Sequence, residues 1–141
     1  MLLGNEFYTK NEELVDFETI TQAKDFICIY FGGLYNPGSV KFTEYLQMFY
    51  YEINSCEKLV EVIYVSFDRN YKEYRKHMDM MPWVALPYHD YRTQKLKFIF
   101  NATEIPKLIF LRVKDGTIAS DDGKDLVLRL GKQAVHYLKF H

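Results

Sequence analysis

The sequence is poor in the residues that build covalent or metal sites. Its 141 residues include only two cysteines and four histidines. Cys28 and Cys56 form no Cys-x-x-Cys motif, which fits a reducing compartment better than a disulfide scaffold. The histidines follow no metal-ligand spacing, so we expect no metal site and no cofactor. They are His77, His89, His136 and His141.

The sequence also lacks long apolar runs and any excess of one charge. No run approaches the roughly 20 apolar residues that span a bilayer, so we expect no membrane segment. Eighteen basic and nineteen acidic side chains give no field to attract nucleic acid. The opening Met1 to Asn5 turns polar too early for a signal peptide, so we expect a cytoplasmic protein. The length predicts a single domain, residues 1–141.

What is present is organised around the stretch from Phe26 to Phe42. Phe26 to Phe31 are apolar or aromatic without alternation, which predicts a central strand covered on both faces. Asn36 suits a helix N-cap and Pro37 the first helical position. Apolar residues then recur at three- and four-residue steps, which predicts a helix with one apolar face. They are Phe42, Tyr45, Leu46, Phe49, Tyr50 and Ile53.

A second strand follows this helix at Val60 to Phe67. Strand, helix and strand with this spacing form a βαβ unit, so the two strands should run parallel with a right-handed crossover. Asp68 to Asn70 then form a loop and N-cap, where we interpret Asp68 as a helix cap. The only adjacent acid–base pair of interest is His89-Asp90, and we assign it no catalytic role because histidines in surface loops are common.

The segment between strand and helix resembles the active-site region of the tryparedoxin and nucleoredoxin family. That pattern runs Tyr-Phe-Ser-Ala-Ser-Trp-Cys-Pro-Pro-Cys-Arg-x-Phe, and Tyr35 stands for its tryptophan. Asn36 and Ser39 stand in place of the two cysteines, so the CPPC motif is replaced by Asn-Pro-Gly-Ser. The matching positions are Tyr30, Phe31, Pro37 and Phe42.

Two further segments carry the resemblance. Met81 to Tyr88 is nearly the family's Met-Pro-Trp-Leu-Ala-Val-Pro-Phe, and thioredoxins in general lack this octapeptide. Glu104 to Leu108 is similar to the Ile-Pro-Thr-Leu of the thioredoxin fold, which implies that Pro106 is cis and faces the loop before the long helix. The resemblance implies a thioredoxin fold of the α/β class, with a central mixed β-sheet flanked by α-helices.

The remaining elements follow from this resemblance and from local signals. We expect short strands at Leu2–Leu3 and Glu13–Phe17, and a brief connection from Ile20 to Asp25. Helices should run from about Tyr71 to Met80, with Tyr71, Tyr74 and Met78 inward, and from about Tyr91 to Phe100, with Leu96, Ile99 and Phe100 on one side. A strand at Leu108–Val113, a hairpin at Lys114–Thr117, an edge strand at Thr117–Ser120 and a closing helix over Val127, Leu130, Ala134 and Leu138 complete the chain.

The family reaction needs two thiols, one to attack a substrate disulfide and one to resolve the mixed disulfide. Asn36 and Ser39 supply neither, so we expect a redox-inactive loop that is simply a capped helix start. Cys28 lies in the middle of a strand, where a cysteine is usually a small buried hydrophobe. Cys56 follows the far end of the long helix and has no resolving partner.

What remains is an apolar rim of the kind on which family members rest a substrate peptide. It is predicted to bind a protein or extended peptide partner through Tyr35, Asn36, Pro37, Gly38, Ser39, Trp83, Ile105 and Pro106. The favoured interpretation is therefore a binding module without catalysis. The alternative is a thiol–disulfide oxidoreductase or redox-homeostasis protein that acts through Cys56 or with a partner's cysteines, and a third is a structural subunit of a larger assembly.

Overall fold

The computed structural model describes residues 2–140, which form one mixed sheet with helices on both faces. The strands are β1 Phe7–Tyr8, β2 Leu14–Val15, β3 Phe26–Gly32, β4 Val60–Ser66, β5 Val84–Ala85, β6 Lys107–Arg112 and β7 Ile118–Ser120. The helices are α1 Phe17–Thr21, α2 Pro37–Ile53, α3 Tyr71–Met78, α4 Arg92–Ile99, α5 Gly123–Leu130 and α6 Gln133–Phe140.

The sheet is built around β3, which is buried along its whole length. The strand order is β2-β1-β5-β4-β3-β6-β7. As predicted, β3 and β4 are parallel, with Tyr30 opposite Tyr64, whereas β6 runs antiparallel to β3. Because β3 lies between β4 and β6 and is covered on both faces, it has no polar face and its sequence does not alternate.

Successive β3 side chains enter two separate hydrophobic clusters. Phe26, Cys28 and Tyr30 pack in one cluster with α2, α3, α5 and α6. Ile27, Ile29 and Phe31 pack in the other with α1 and α4. This alternation between faces is the normal geometry of a strand, and here both faces are core.

Several local predictions are wrong, either in the bounds of an element or in which of its side chains face the core. The opening strand is β1 at Phe7–Tyr8, while Leu3 is buried in the second cluster and belongs to no strand. The predicted connection after Ile20 overlaps helix α1, whose N-cap Asp16 accepts a hydrogen bond from the Thr19 N–H. Tyr45 was expected on the apolar face of α2 and Tyr71 to face inward, but they are 43% and 53% exposed. Ile99, expected on the same side of its helix as Leu96 and Phe100, is 44% exposed.

The closing helix is two helices. Gly131 has a φ of 53°, a left-handed conformation that ends α5 before α6 begins at Gln133. Glycine adopts this region without steric cost, so Gly131 divides the predicted closing helix into two.

Helix α5 packs closely on β6 through Gly123. A Cβ at this position would lie 2.8 Å from the Leu108 carbonyl oxygen and 2.7 Å from Phe110 Cδ1. The carbonyl belongs to the central part of the sheet, so it cannot move aside without disturbing the strand. Gly123 therefore sets the distance between the helix and the sheet.

Gly123→Ala should lower the free energy of unfolding by about 1–3 kcal/mol, the usual cost of overpacking. The matched control is Leu128→Ala on the same helix, where the side chain is 49% exposed and should change stability little. Urea denaturation monitored by circular dichroism measures both. Equal stability of Gly123→Ala and wild type would contradict this close packing.

Candidate functional site

The loop between β3 and α2 has the capped geometry that the sequence predicts. Asn36 is extended, with a φ of −99° and a ψ of 113°, and its Oδ1 accepts a 2.9 Å hydrogen bond from the Ser39 N–H. Pro37 occupies the first helical turn. The Asn36 side chain is therefore turned back onto the helix that it caps and satisfies one of its free N–H groups.

The Ile105–Pro106 peptide bond is cis, as predicted, and lies against this loop. A Cβ placed on Gly38 would be 3.6 Å from Pro106 Cδ. One placed on Gly33 would be 2.8 Å from Tyr35 Cε1 and 3.2 Å from Ile105 Cδ1. The Tyr35 ring therefore covers the backbone of Gly33 beside Ile105. We call this surface the loop groove, formed by Tyr35, Asn36, Pro37, Gly38, Ile105 and Pro106.

Tyr35 is the most prominent side chain of the loop groove. It is 42% exposed, and the Arg69 guanidinium lies 5.1 Å from the centre of its ring. This cation–π contact orients the ring without burying it. Tyr35 is thus a large aromatic surface held in a defined position.

Two residues predicted for this rim are not on the surface, and their assignment to it is wrong. Trp83 is 1% exposed and packs in the core, with its ring 5.4 Å from that of Tyr50 and 6.4 Å from that of Tyr30. Ser39 is fully buried. In the part of the chain that the structure describes, neither Ser39 Oγ nor Trp83 Nε1 has a hydrogen-bond partner.

The two thiols lie away from the loop groove. Cys28 is fully buried, and burial, assisted by the nearby Glu61 charge, raises the pKa of its thiol well above the ordinary value. Cys56 is exposed and follows the C-terminal end of α2. Because α2 has 17 residues, it places Cys56 roughly 25 Å from the helix start. Residues 2–140 also contain no group of three or more His, Cys, Asp or Glu that would hold a metal ion.

Directly beneath the loop lies a chain of buried polar side chains that sequence reasoning missed. We call it the polar chain, and it runs from Tyr30 through Thr43, His77 and Tyr64 to Asp68. The Tyr30 and Thr43 hydroxyl oxygens are 2.7 Å apart, and Thr43 Oγ1 lies 3.0 Å from His77 Nε2. His77 Nδ1 lies 2.7 Å from the Tyr64 hydroxyl, which donates to Asp68 Oδ2 at 2.8 Å.

The polar chain holds the loop through its backbone. The Ser39 carbonyl lies 2.9 Å from the hydroxyl oxygens of both Tyr30 and Thr43 and accepts from one of them, while the other hydroxyl donates within the Tyr30–Thr43 pair. At the other end, the Leu34 N–H donates to Asp68 Oδ1 at 2.6 Å. The start of α2 and the turn before it are therefore anchored from below at two points, which restricts the loop to one conformation.

Asp68 is the charged end of the polar chain and not a helix cap, since Asn70 caps α3. Burial opposes its charge, but the His77 ring, the Leu34 N–H and the hydroxyls of Ser66 and Tyr64 together outweigh this effect. The result is that the pKa of Asp68 lies below its ordinary value. His77 Nδ1 lies 3.8 Å from Asp68 Oδ1, and both side chains are fully buried.

One signal in the sequence pointed to the polar chain. Tyr30 and Tyr64 stand on two central strands, and a buried tyrosine hydroxyl needs a partner.

In the pair His89-Asp90, the aspartate has a structural role. Asp90 forms a nearly buried ion pair with Arg92, and the Arg92 guanidinium donates to the Leu3 carbonyl at 2.9 Å.

His77→Phe should lower the free energy of unfolding by about 1–3 kcal/mol, because Thr43 and Tyr64 each lose a buried partner. The control His136→Phe replaces an exposed histidine on α6 and should change stability by less than about 0.5 kcal/mol. In a double-mutant cycle with Thr43→Val, the two changes should be less than additive. Additive effects would mean that the two residues do not interact.

The lowered pKa of Asp68 predicts a stability effect in acid. The unfolded carboxyl titrates near its ordinary value of about 3.9 and the folded one below it, so the unfolded state takes up the proton first. The stabilisation is complete above the unfolded pKa and is lost as the pH falls through the folded pKa. The stability difference between wild type and Asp68→Asn should therefore shrink below about pH 4. Urea denaturation at pH 7, 4 and 3 measures it, and a constant difference would contradict a charged Asp68.

Comparison with known proteins places this geometry in a family. The sequence profile described as thioredoxin-like matches residues 24–118. A probable nucleoredoxin 3 of Oryza sativa subsp. japonica is 35% identical over 109 residues, which cover 77% of this chain and 23% of that protein. A tryparedoxin of Trypanosoma brucei brucei is 30% identical over 103 residues, which cover 72% of this chain and 71% of that protein.

Solved structures confirm the thioredoxin fold. A thioredoxin from Wuchereria bancrofti superposes with a TM-score of 0.82 at 21% identity, over 100% of this chain and 99% of that one. A tryparedoxin from Trypanosoma brucei gives 0.81 at 24% identity, over 94% and 90%. The chain spans only about a quarter of the plant nucleoredoxins it matches but most of the tryparedoxin. The chain belongs to the thioredoxin-like family that includes the nucleoredoxins and tryparedoxins.

Proposed function

We propose that this chain is a redox-inactive member of its family that binds an extended segment of a protein partner in the loop groove. One observation carries the proposal. The loop is anchored from below by the polar chain, although it holds no thiol and, by its resemblance to the family motif, has Asn36 and Ser39 in place of the two cysteines. A scaffold that keeps the loop ordered without its thiols favours binding over thiol chemistry.

The chemistry of the loop supports the absence of disulfide exchange. The Asn36 amide has no titratable proton, and its oxygen is engaged in capping α2. Ser39 is an alcohol in a fully buried position, so no substrate atom reaches it without displacing the loop. Disulfide exchange requires attack by a thiolate, and neither residue provides one.

The loop groove has the features of a site for strand addition. Within residues 2–140, the N–H and C=O groups of Ile105 have no intramolecular hydrogen-bond partner. An extended chain laid beside Ile105 pairs with these groups, while its side chains contact Tyr35 and Pro106. Tyrosine suits an anchor because it combines a large rigid surface with a polar tip.

A specific observation keeps the alternative function open. Cys56 is an exposed thiol, and a thiol–disulfide oxidoreductase that works with a partner's cysteine needs only one such group. Its distance from the loop groove separates the two functions, because each is tested by a change that leaves the other site intact.

The proposed function is tested by selecting binders from a library of random extended peptides displayed on phage. Selected peptides should bind wild type and shift the amide NMR signals of Gly33, Gly38 and Ile105. Tyr35→Ala should weaken them by about 1–2 kcal/mol or more, the range of an interface hot spot, without changing the melting temperature. The control Tyr51→Ala removes a 63% exposed tyrosine near the other end of α2 and should bind normally. The proposal fails if Tyr35→Ala is folded and binds as tightly as wild type, or if no peptide is selected.

The protein should not reduce insulin disulfides when supplied with dithiothreitol, because no thiol lies at the loop groove. Its rate should equal the rate of dithiothreitol alone, and Cys56→Ser should be indistinguishable from wild type. A rate clearly above this background that disappears in Cys56→Ser would establish the alternative function.

A further inference from the structure

A second concave surface has four tyrosines among its seven lining residues. Tyr8 of β1, Tyr71 and Tyr74 of α3, and Tyr88 after β5 converge on a cavity of about 220 Å³. Pro87 completes its apolar lining, and Glu12 and Arg75 stand at the same cavity. We call this surface the tyrosine pocket. It shares no residue with the loop groove.

Three of the rings form one continuous aromatic surface. The ring centres of Tyr71 and Tyr74 are 6.1 Å apart, those of Tyr71 and Tyr88 are 6.2 Å apart, and those of Tyr74 and Tyr88 are 5.7 Å apart. These separations are those of rings in direct contact. No space is left between them for an ammonium group, so the pocket is an aromatic wall and not a cage for a cation.

The rings differ in what the fold requires of them. Tyr74 is 4% exposed and its hydroxyl donates to the Leu86 carbonyl at 2.8 Å, so it is part of the core. Tyr71 is 53% exposed, and its hydroxyl donates to the exposed Glu12 carboxylate at 3.1 Å. Packing therefore accounts for Tyr74 but not for the large open ring of Tyr71.

The charges at the tyrosine pocket offset one another. The Arg75 guanidinium lies 4.0 Å from Glu12 and 3.9 Å from Asp79, and it donates to the Lys10 carbonyl. Arg75 would repel a cationic ligand, and Glu12 would repel an anionic one. The pocket consequently favours an uncharged apolar ligand that also offers hydrogen-bond acceptors to the hydroxyls of Tyr8 and Tyr88, because those of Tyr71 and Tyr74 already donate within the protein.

We propose that the tyrosine pocket binds a proline-rich segment of a protein partner in the polyproline II conformation. Such a segment presents flat uncharged rings, which pack on aromatic side chains, and backbone carbonyls without internal partners, which accept from the hydroxyls of Tyr8 and Tyr88. It is already extended before binding, so little conformational entropy is lost. This site is independent of the function proposed for the loop groove.

The test measures the fluorescence anisotropy of a fluorescein-labelled twelve-residue oligoproline titrated with the protein. Wild type should bind it saturably, and a glycine–serine peptide of equal length should not bind. Tyr71→Ala and Tyr88→Ala should each weaken binding about tenfold. Tyr51→Ala and Tyr35→Ala are the matched controls, because both remove exposed tyrosines outside the pocket, and both should bind like wild type.

Three outcomes would overturn the proposal. These are no saturable binding to wild type, unchanged binding to Tyr71→Ala, or loss of binding in Tyr35→Ala, which would place the oligoproline in the loop groove. Thermal melts establish that each variant is folded. Tyr71→Ala decides the matter if Tyr88→Ala is unstable, because the exposed Tyr71 ring contributes little to the core.

Discussion

The structure of the loop depends on a line of buried hydrogen bonds from Tyr30 to Asp68. These side chains come from β3, α2, α3, β4 and the turn after β4, so the polar chain forms only when all these elements are in place. In a low-dielectric interior an incomplete chain is costly, because each unpaired group keeps its desolvation penalty. The same contacts that join the elements therefore fix the loop above them.

The loop combines features of the thioredoxin fold with a start of α2 that contains no thiol. The cis Ile105–Pro106 bond, the capped start of α2 and the close approach at Gly38 are all present, while Asn36 and Ser39 place an amide and a buried hydroxyl at the start of α2. The order of the loop does not rely on sulfur in this chain. It relies on the Asp68 carboxylate accepting from the Leu34 N–H and on the Tyr30–Thr43 hydroxyl pair donating to the Ser39 carbonyl.

Local signals in the sequence predicted the parts of this picture that local physics determines. The non-alternating run of β3 reflects burial on both faces, and Asn36 with Pro37 marks a helix start in almost any context.

Which side chains of α3 face the core was not predictable in this way. The same helical period places either Tyr71 or His77 beside Tyr74 on the inner face, and hydrophobicity favours tyrosine. In the structure His77 lies on the inner face, because its ring contacts the buried hydroxyls of Tyr64 and Thr43. The β3–β4 register and α2 bring these two hydroxyls together. Likewise, Trp83 looked like a rim residue because its motif neighbours the loop, but the aromatic rings of Tyr30 and Tyr50 enclose it.

The central claim is that the polar chain, and not a pair of thiols, holds the loop in place. Amide hydrogen exchange of Leu34 tests it most directly, since this N–H lies in the loop and its partner is the Asp68 carboxylate. The account predicts that Leu34 is strongly protected in wild type and exchanges much faster in Asp68→Ala, which removes the acceptor, while the amides of β4 keep their protection. A Leu34 amide that exchanges in wild type as fast as an exposed turn, or at the same slow rate in Asp68→Ala, would contradict it.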